Sequence, residues 1–160
     1  MNKQHHYDVT VTWTGNDGEG TKTYRSYRRD HVIAKDGAPE IPGSSDPAFR
    51  GDPQRYNPED CLVAALSSCH MLSYLHLCAI NNIVVTDYRD DAQGTMQEHD
   101  NGAGEFSRAV LRPKVTIAEG DREKAVELHH RAHELCFIAN SVKFPVECEP
   151  EIVVAMTAAK

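Results

Sequence analysis

The first apolar pattern in the chain is a strict alternation near the N-terminus. Apolar or aromatic side chains occupy positions 7, 9, 11 and 13, and Asp8, Thr10 and Thr12 lie between them. A period of two predicts a half-buried strand, and the turn-forming residues 15–18 end it. A second strand is expected over about residues 22–34, so the chain should begin with a strand pair.

Residues 39–57 interrupt this pattern. They contain four prolines and two glycines, which is too many breakers for regular structure. We therefore expect a long loop here, and long loops in compact domains are often functional.

A helix start follows the loop. Asn57 provides an N-cap side chain, Pro58 fits the first helical position, and Glu59 and Asp60 face the positive end of the helix dipole. We expect this helix to run to about Asn81.

The helix is apolar around nearly its whole circumference. Residues 61–80 form a stretch of 20 positions without Asp, Glu, Lys or Arg, about the length that spans a bilayer. The stretch also contains three serines and two histidines, and no basic anchor lies within several residues of it. We interpret it as a buried central helix that is surrounded by sheet or by another subunit, and not as a membrane span.

The rest of the chain predicts a strand pair, a second helix and a last strand. The pair covers residues 83–97 and 105–117 around a turn that contains Asn101-Gly102. The second helix begins near Asp121 and carries one apolar stripe, and Glu151 opens the last strand. The resulting order β-β-α-β-β-α-β, with strands in hairpins, predicts an α+β fold in a single domain over residues 1–160.

Composition narrows the possible functions. The formal net charge is −7, and the 17 basic residues are scattered, so we expect no nucleic-acid partner. The five cysteines are an odd number, and the N-terminus shows no apolar signal core. We therefore expect a cytoplasmic protein whose thiols are free and available for chemistry.

Two cysteines stand at core-facing positions of the two predicted helices. Cys69 lies in the middle of the central helix and Cys136 in the last turn of the second. Cys61 and Cys78 are 8 and 9 residues from Cys69 on one helix. At ~1.5 Å per residue they are too distant for a disulfide. A partner for Cys69 is therefore Cys136 or Cys148, unless each thiol is simply a small buried hydrophobe.

The histidines suggest a metal site only weakly. His129 and His133 share one helix face, but Phe137 stands where a zincin motif would place its second ligand. A mixed site of His129, His133 and Cys136 is conceivable. We interpret the histidine pair as solvated surface and expect neither a metal nor another cofactor.

The chain has a helix start at residues 57–60, an Ala- and Ser-containing helix that follows it to Cys69, and a second helix that ends His-Glu-Leu-Cys at Cys136. Together these features resemble the OsmC/Ohr family of thiol-dependent hydroperoxide reductases. The loop at residues 44–52 and Cys69-His70-Met71 are most similar to its OsmC-like branch. The resemblance implies the OsmC-like fold as an intertwined homodimer.

The resemblance also implies the site residues and the activity. Cys69 would be the peroxidatic thiol, Cys136 the resolving thiol, Glu59 the carboxylate at the helix start and Arg50 the loop arginine, with Arg28, Arg29 or Arg55 as alternatives to Arg50. An organic hydroperoxide would be reduced to an alcohol through a Cys69 sulfenic acid and a disulfide with Cys136. A dihydrolipoyl protein, thioredoxin or a small thiol would then reduce the disulfide.

Two questions remain open from the sequence. The alternative to a peroxidase is a non-enzymatic OsmC-like protein that senses redox state or binds a small ligand. Glu59 and Cys69 are 10 residues apart, hence roughly 15 Å along one helix. If both serve one reaction centre, Glu59 must reach Cys69 from a second chain.

Overall fold

The computed structural model describes residues 3–155. The chain divides into two compact units, residues 1–61 and residues 62–160, and each is described by itself. The single-domain prediction is not tested by this division.

The first unit contains a three-stranded antiparallel sheet. Strands β1 (Thr10–Trp13), β2 (His31–Ala34) and β3 (Ile41–Gly43) are arranged in that order. The second predicted strand was too long, because turns occupy most of residues 16–30 and only the last four residues of the predicted strand pair with β1. Strand β3 lies inside the predicted loop. Its Pro42 is tolerated because β3 is an edge strand, where a missing N–H need not break a ladder.

Helix α1 (Pro58–Ile80) begins where the sequence predicts. The Asn57 side chain accepts a hydrogen bond from the Asp60 N–H at 2.7 Å, and the Asp60 carboxylate accepts one from the Asn57 N–H at 3.2 Å. This reciprocal capping satisfies donors that the first turn would otherwise leave unpaired.

Only one face of α1 is buried within the chain. The buried residues recur at helical spacing and are Leu66, His70, Tyr74, Leu77 and Cys78. Leu72 and Ile80 are 64% and 63% exposed, so the expected burial on all sides is not reached in a single chain. Among the described residues α1 is the one helix long and apolar enough to cross a membrane, with a mean hydropathy of 1.4, and core helices pass the same test.

The second unit is built on a long hairpin that bends in the middle. Each of the two predicted strands is in fact two, β4 (Val84–Asp90) with β5 (Gln93–Glu98), and β6 (Gly104–Leu111) with β7 (Pro113–Glu119). Strands β8 (Val146–Cys148) and β9 (Glu151–Val154) add in parallel to β6 and β7. Two three-stranded sheets result, ordered β4-β7-β9 and β5-β6-β8.

Helix α2 (Arg122–Leu135) is capped by the Asp121 side chain, which accepts a hydrogen bond from the Lys124 N–H at 2.7 Å. Its buried residues are Ala125, Leu128, His129 and Ala132. Ala125, Leu128 and Ala132 pack with Tyr74 and Leu77 of α1 and with buried residues of β7 and β9 into one apolar core. The α+β class predicted from the sequence is confirmed.

Candidate functional site

The structure brings the two core-facing thiols together. Cys69 is half-buried on α1, and Cys136 is buried directly after the last residue of α2. The Cys69 side chain lies close enough to the Cys136 thiol to act on its pKa. Of the two partners that the sequence left open for Cys69, Cys136 is therefore the one placed beside it.

The two thiols differ in their surroundings. Burial raises the pKa of Cys136 to about 11, and the neighbouring Cys69 side chain acts in the same direction. The Ala139 N–H donates to the Cys136 Sγ at 3.4 Å and only partly offsets these effects. Cys136 is thus a neutral thiol at ordinary pH, whereas Cys69 keeps part of its surface open to solvent.

The four candidate arginines lie in the first unit, and two of them already have acidic partners. The buried Asp30 pairs with Arg28 and with Arg55, and Arg28 also pairs with Asp17. The Arg29 guanidinium donates to two backbone carbonyls and lies 4.2 and 4.1 Å from the ring centres of two tyrosines. These contacts hold Arg28, Arg29 and Arg55 within the first unit.

Arg50 and Glu59 lack such partners. Arg50 is exposed, directly follows a short 3₁₀ helix at Pro47–Phe49 and has a φ of 66°, which is uncommon outside glycine. Within residues 3–155, neither the Arg50 guanidinium nor the half-buried Glu59 carboxylate forms an ion pair. Arg50 is therefore the candidate whose charge is still available.

A second cluster of reactive groups lies deeper in the second unit. His70 of α1, His129 of α2 and Cys148 of β8 have one ligand atom each within 4.8 Å of one another. The His70 Nε2 is 3.0 Å from the His129 Nδ1, and the Cys148 Sγ is 3.6 Å from the former and 4.0 Å from the latter. Tyr74 stacks on His129 with ring centres 3.7 Å apart.

Burial keeps this cluster uncharged in the absence of an ion. It lowers the pKa of His70 to about 4 and that of His129 to about 3, so both imidazoles are neutral near pH 7. Burial also raises the pKa of Cys148 to about 12, with Asp90 and Glu149 adding to the effect.

The interpretation of His129 as solvated surface is wrong. Its side chain is only 2% exposed because it lies on the same stripe of α2 as Ala125 and Ala132, four residues before and three residues after. His70 likewise lies four residues from Leu66 and Tyr74 on the buried face of α1. The helical spacing of both histidines was visible in the sequence. The approach of Cys148 to them was not, because it depends on the parallel pairing of β8 with β6, and no local sequence pattern predicts that pairing.

Comparison with known proteins identifies the family. The family model described as OsmC-like protein matches residues 51–151. An OsmC-like protein of unknown function from Vibrio cholerae is 35% identical, with a TM-score of 0.82 over 92% of this chain and 100% of that one. The organic hydroperoxide resistance protein OhrB of Bacillus subtilis is 24% identical over 130 residues, which are 81% of this chain and 93% of that protein. Its crystal structure has a TM-score of 0.58 at 23% identity over 92% and 98% of the two chains. The chain therefore belongs to the OsmC-like family, in agreement with the resemblance seen in its helix-start and cysteine motifs.

Proposed function

We propose that the protein is a thiol-dependent peroxidase that reduces organic hydroperoxides to alcohols. The proximity of the half-buried Cys69 to the buried Cys136 carries this proposal, because a two-thiol peroxidase needs one accessible and one adjacent thiol. The similarity to a protein named for organic hydroperoxide resistance supports the choice of substrate.

The two cysteines have different roles in the reaction. The Cys69 thiolate attacks the O–O bond, becomes a sulfenic acid and releases the alkoxide, which takes up a proton and leaves as the alcohol. The Cys136 thiol then attacks the sulfenic sulfur, and water leaves as the disulfide forms. A thiol reductant of the cytoplasm, which is a dihydrolipoyl protein, thioredoxin or a small thiol, returns both cysteines to the reduced form.

A cation is required to favour the Cys69 thiolate and to stabilise the departing alkoxide. Arg50 suits this role because its guanidinium stays charged and lacks an acidic partner within residues 3–155. Glu59 would orient it through paired hydrogen bonds. Because Glu59 is roughly 15 Å from Cys69 along α1, the Glu59 that serves a given Cys69 comes from a second chain, and Arg50 comes with it.

We therefore propose an intertwined homodimer with two equivalent sites, each completed by its partner. Apolar surface left open by the single chain supports it. On α1, Leu72 and Ile80 are mostly exposed, and along the first strand region so are Tyr7, Val9 and Val11. Exposed apolar side chains on a core helix, and on β1 and the residues just before it, are typical of an interface.

The test begins with the reduced protein, an alkyl hydroperoxide and mass-spectrometric mapping of oxidised cysteines. The wild type should form a disulfide between Cys69 and Cys136 within one chain. Cys69→Ser should abolish turnover, and Cys136→Ser should complete one turnover and then stop. Wild-type turnover in Cys69→Ser would show that Cys69 is not the nucleophile. A Cys69 that resists stoichiometric hydroperoxide would favour a non-enzymatic OsmC-like binding protein.

Complementation tests the shared site. Cys69→Ser chains and Glu59→Ala chains, each inactive, are mixed and refolded together. Heterodimers should regain partial activity because one of their two sites holds both an intact Cys69 and an intact Glu59. A fully active monomer in sedimentation, or folded mixed dimers without recovered activity, would contradict the proposal.

A further inference from the structure

We propose that His70, His129 and Cys148 form a binding site for a divalent cation of the zinc class. The three side chains come from α1, α2 and β8, so the fold assembles the donor set from parts of the chain that are distant in sequence. None of them has a part in the proposed peroxidase reaction.

The distances between the donor atoms match those around a tetrahedral zinc ion. With Zn–N near 2.0 to 2.1 Å and Zn–S near 2.3 Å, two ligand nitrogens lie about 3.3 Å apart and a nitrogen and a sulfur about 3.6 Å apart. The observed separations are 3.0 Å between the nitrogens and 3.6 and 4.0 Å from the sulfur to each of them. A shift of a few tenths of an ångström would suffice to admit the ion.

The protonation of the cluster favours a cation as well. Among the described residues, the outer ring nitrogens, Nδ1 of His70 and Nε2 of His129, have no hydrogen-bond partner. Each can carry its ring proton, which leaves the facing nitrogens free to coordinate. Cys148 binds as a thiolate, so one thiol proton is released for each ion bound.

The charge around the cluster balances the ion. One thiolate and a divalent cation leave a net charge of +1, and the Asp90 carboxylate acts electrostatically on both His70 and Cys148. Asp90 is held in place by the Ser67 hydroxyl, which donates to it at 2.6 Å, and by the Arg112 N–H at 2.7 Å. When a cation is bound, the Asp90 carboxylate therefore compensates the remaining positive charge. When the cluster is empty, its three neutral donors lie beside a fixed negative charge, which favours binding of a cation.

A route to the site and room for a fourth ligand are present. A small pocket of about 130 Å³ is lined by His129 and Cys148 together with His130, His133, Val146 and Pro150. The site thus has three protein ligands and an open side, the arrangement typical of zinc ions that hold water or a substrate atom in the fourth position.

The experiment uses full-length protein carrying Cys69→Ser and Cys136→Ser, so that the redox thiols cannot bind metal. The reduced, metal-free protein is titrated with Co²⁺, which reports tetrahedral geometry in the visible spectrum and thiolate ligation by a charge-transfer band. We expect one Co²⁺ per chain with both signatures, and displacement by one equivalent of Zn²⁺.

Variants separate this site from incidental binding. Cys148→Ser should abolish the charge-transfer band, and His129→Asn or His70→Gln should each weaken binding about 100-fold. The double change His5→Gln and His6→Gln should leave affinity unchanged, because neither side chain belongs to the cluster. If one variant fails to fold, the remaining two decide. Absence of the charge-transfer band in the folded parent protein, or equal binding by the cluster variants, would overturn the proposal.

Discussion

The buried histidine pair predicts a specific loss of stability in acid. His70 and His129 are 1% and 2% exposed, and burial lowers their pKa values from 6.5 to about 4 and about 3. In the unfolded chain both rings take up a proton below pH 6.5, while the folded metal-free protein keeps them neutral. Acid therefore favours the unfolded state, and stability is lost as the pH falls from 6.5 towards about 4.

The size of the loss follows from the pKa difference. Each unit of difference is worth about 1.36 kcal/mol, so at about pH 5 each histidine costs about 2 kcal/mol and the pair about 4 kcal/mol. The whole free energy of unfolding of a domain is typically about 5–15 kcal/mol. The pair alone should therefore remove a large share of the stability of the protein.

Urea unfolding at about pH 7.5 and about pH 5, with a chelator present, measures this loss. His129→Asn keeps a hydrogen-bonding group beside His70 and removes one titrating ring, so its loss of stability over the same interval should be about 2 kcal/mol smaller. The matched control is His76→Gln, an exposed histidine of α1, which should behave like the wild type. Equal losses in the wild type and in His129→Asn would refute the assignment of neutral, buried rings.

Three further changes test other parts of the structure. Arg50→Gly should change the free energy of unfolding by no more than about 1 kcal/mol, because relief of the positive φ offsets the greater freedom of the unfolded chain. If Arg50 supplies the cation, the same change should lower peroxidase activity at least about tenfold, whereas an unchanged rate would assign the role to Arg28, Arg29 or Arg55. Tyr74→Phe removes the 3.1 Å hydrogen bond from the Tyr74 hydroxyl to the Ala125 carbonyl and should cost about 1 kcal/mol in urea unfolding, and no change would show that the bond is replaced by water. Cys148→Ser should keep multiple-turnover peroxidase activity, and loss of recycling in it would make Cys148 the resolving thiol.

The sequence predicted the elements whose signals are local. The start of α1 follows from Asn57, Pro58 and Asp60 alone, and the stripe of α2 follows from its helical period. The bend in the long hairpin was missed, although Asp90-Asp91 and Arg112-Pro113 interrupt the apolar pattern there. At this point the Asp90 carboxylate accepts a hydrogen bond from the Arg112 N–H. Strand β8 has three residues, too few for a periodic signal, and its place is set by β6.

The same limits apply to the candidate sites. The core-facing positions of Cys69 and Cys136 could be read from helix patterns, but only the packing of α1 against the end of α2 selects Cys136 over Cys148. The histidine cluster needs α1, α2 and β8 at once. No motif of fixed spacing marks it, since His70 and His129 are 59 residues apart.

Two neighbouring residues of α1 separate the two sets of reactive groups. Consecutive helix positions point about 100° apart, so Cys69 and His70 face different surroundings although their backbones are adjacent. Cys69 faces Cys136, while His70 faces His129 and Cys148. The Cys148 thiol lies against the two imidazoles of the other face, so it is not placed to compete with Cys136 for the proposed sulfenic acid on Cys69. Because Cys136 lies beside Cys69 and Cys148 lies against the His70 face of α1, the proposed oxidation of Cys69 and Cys136 would not draw in Cys148.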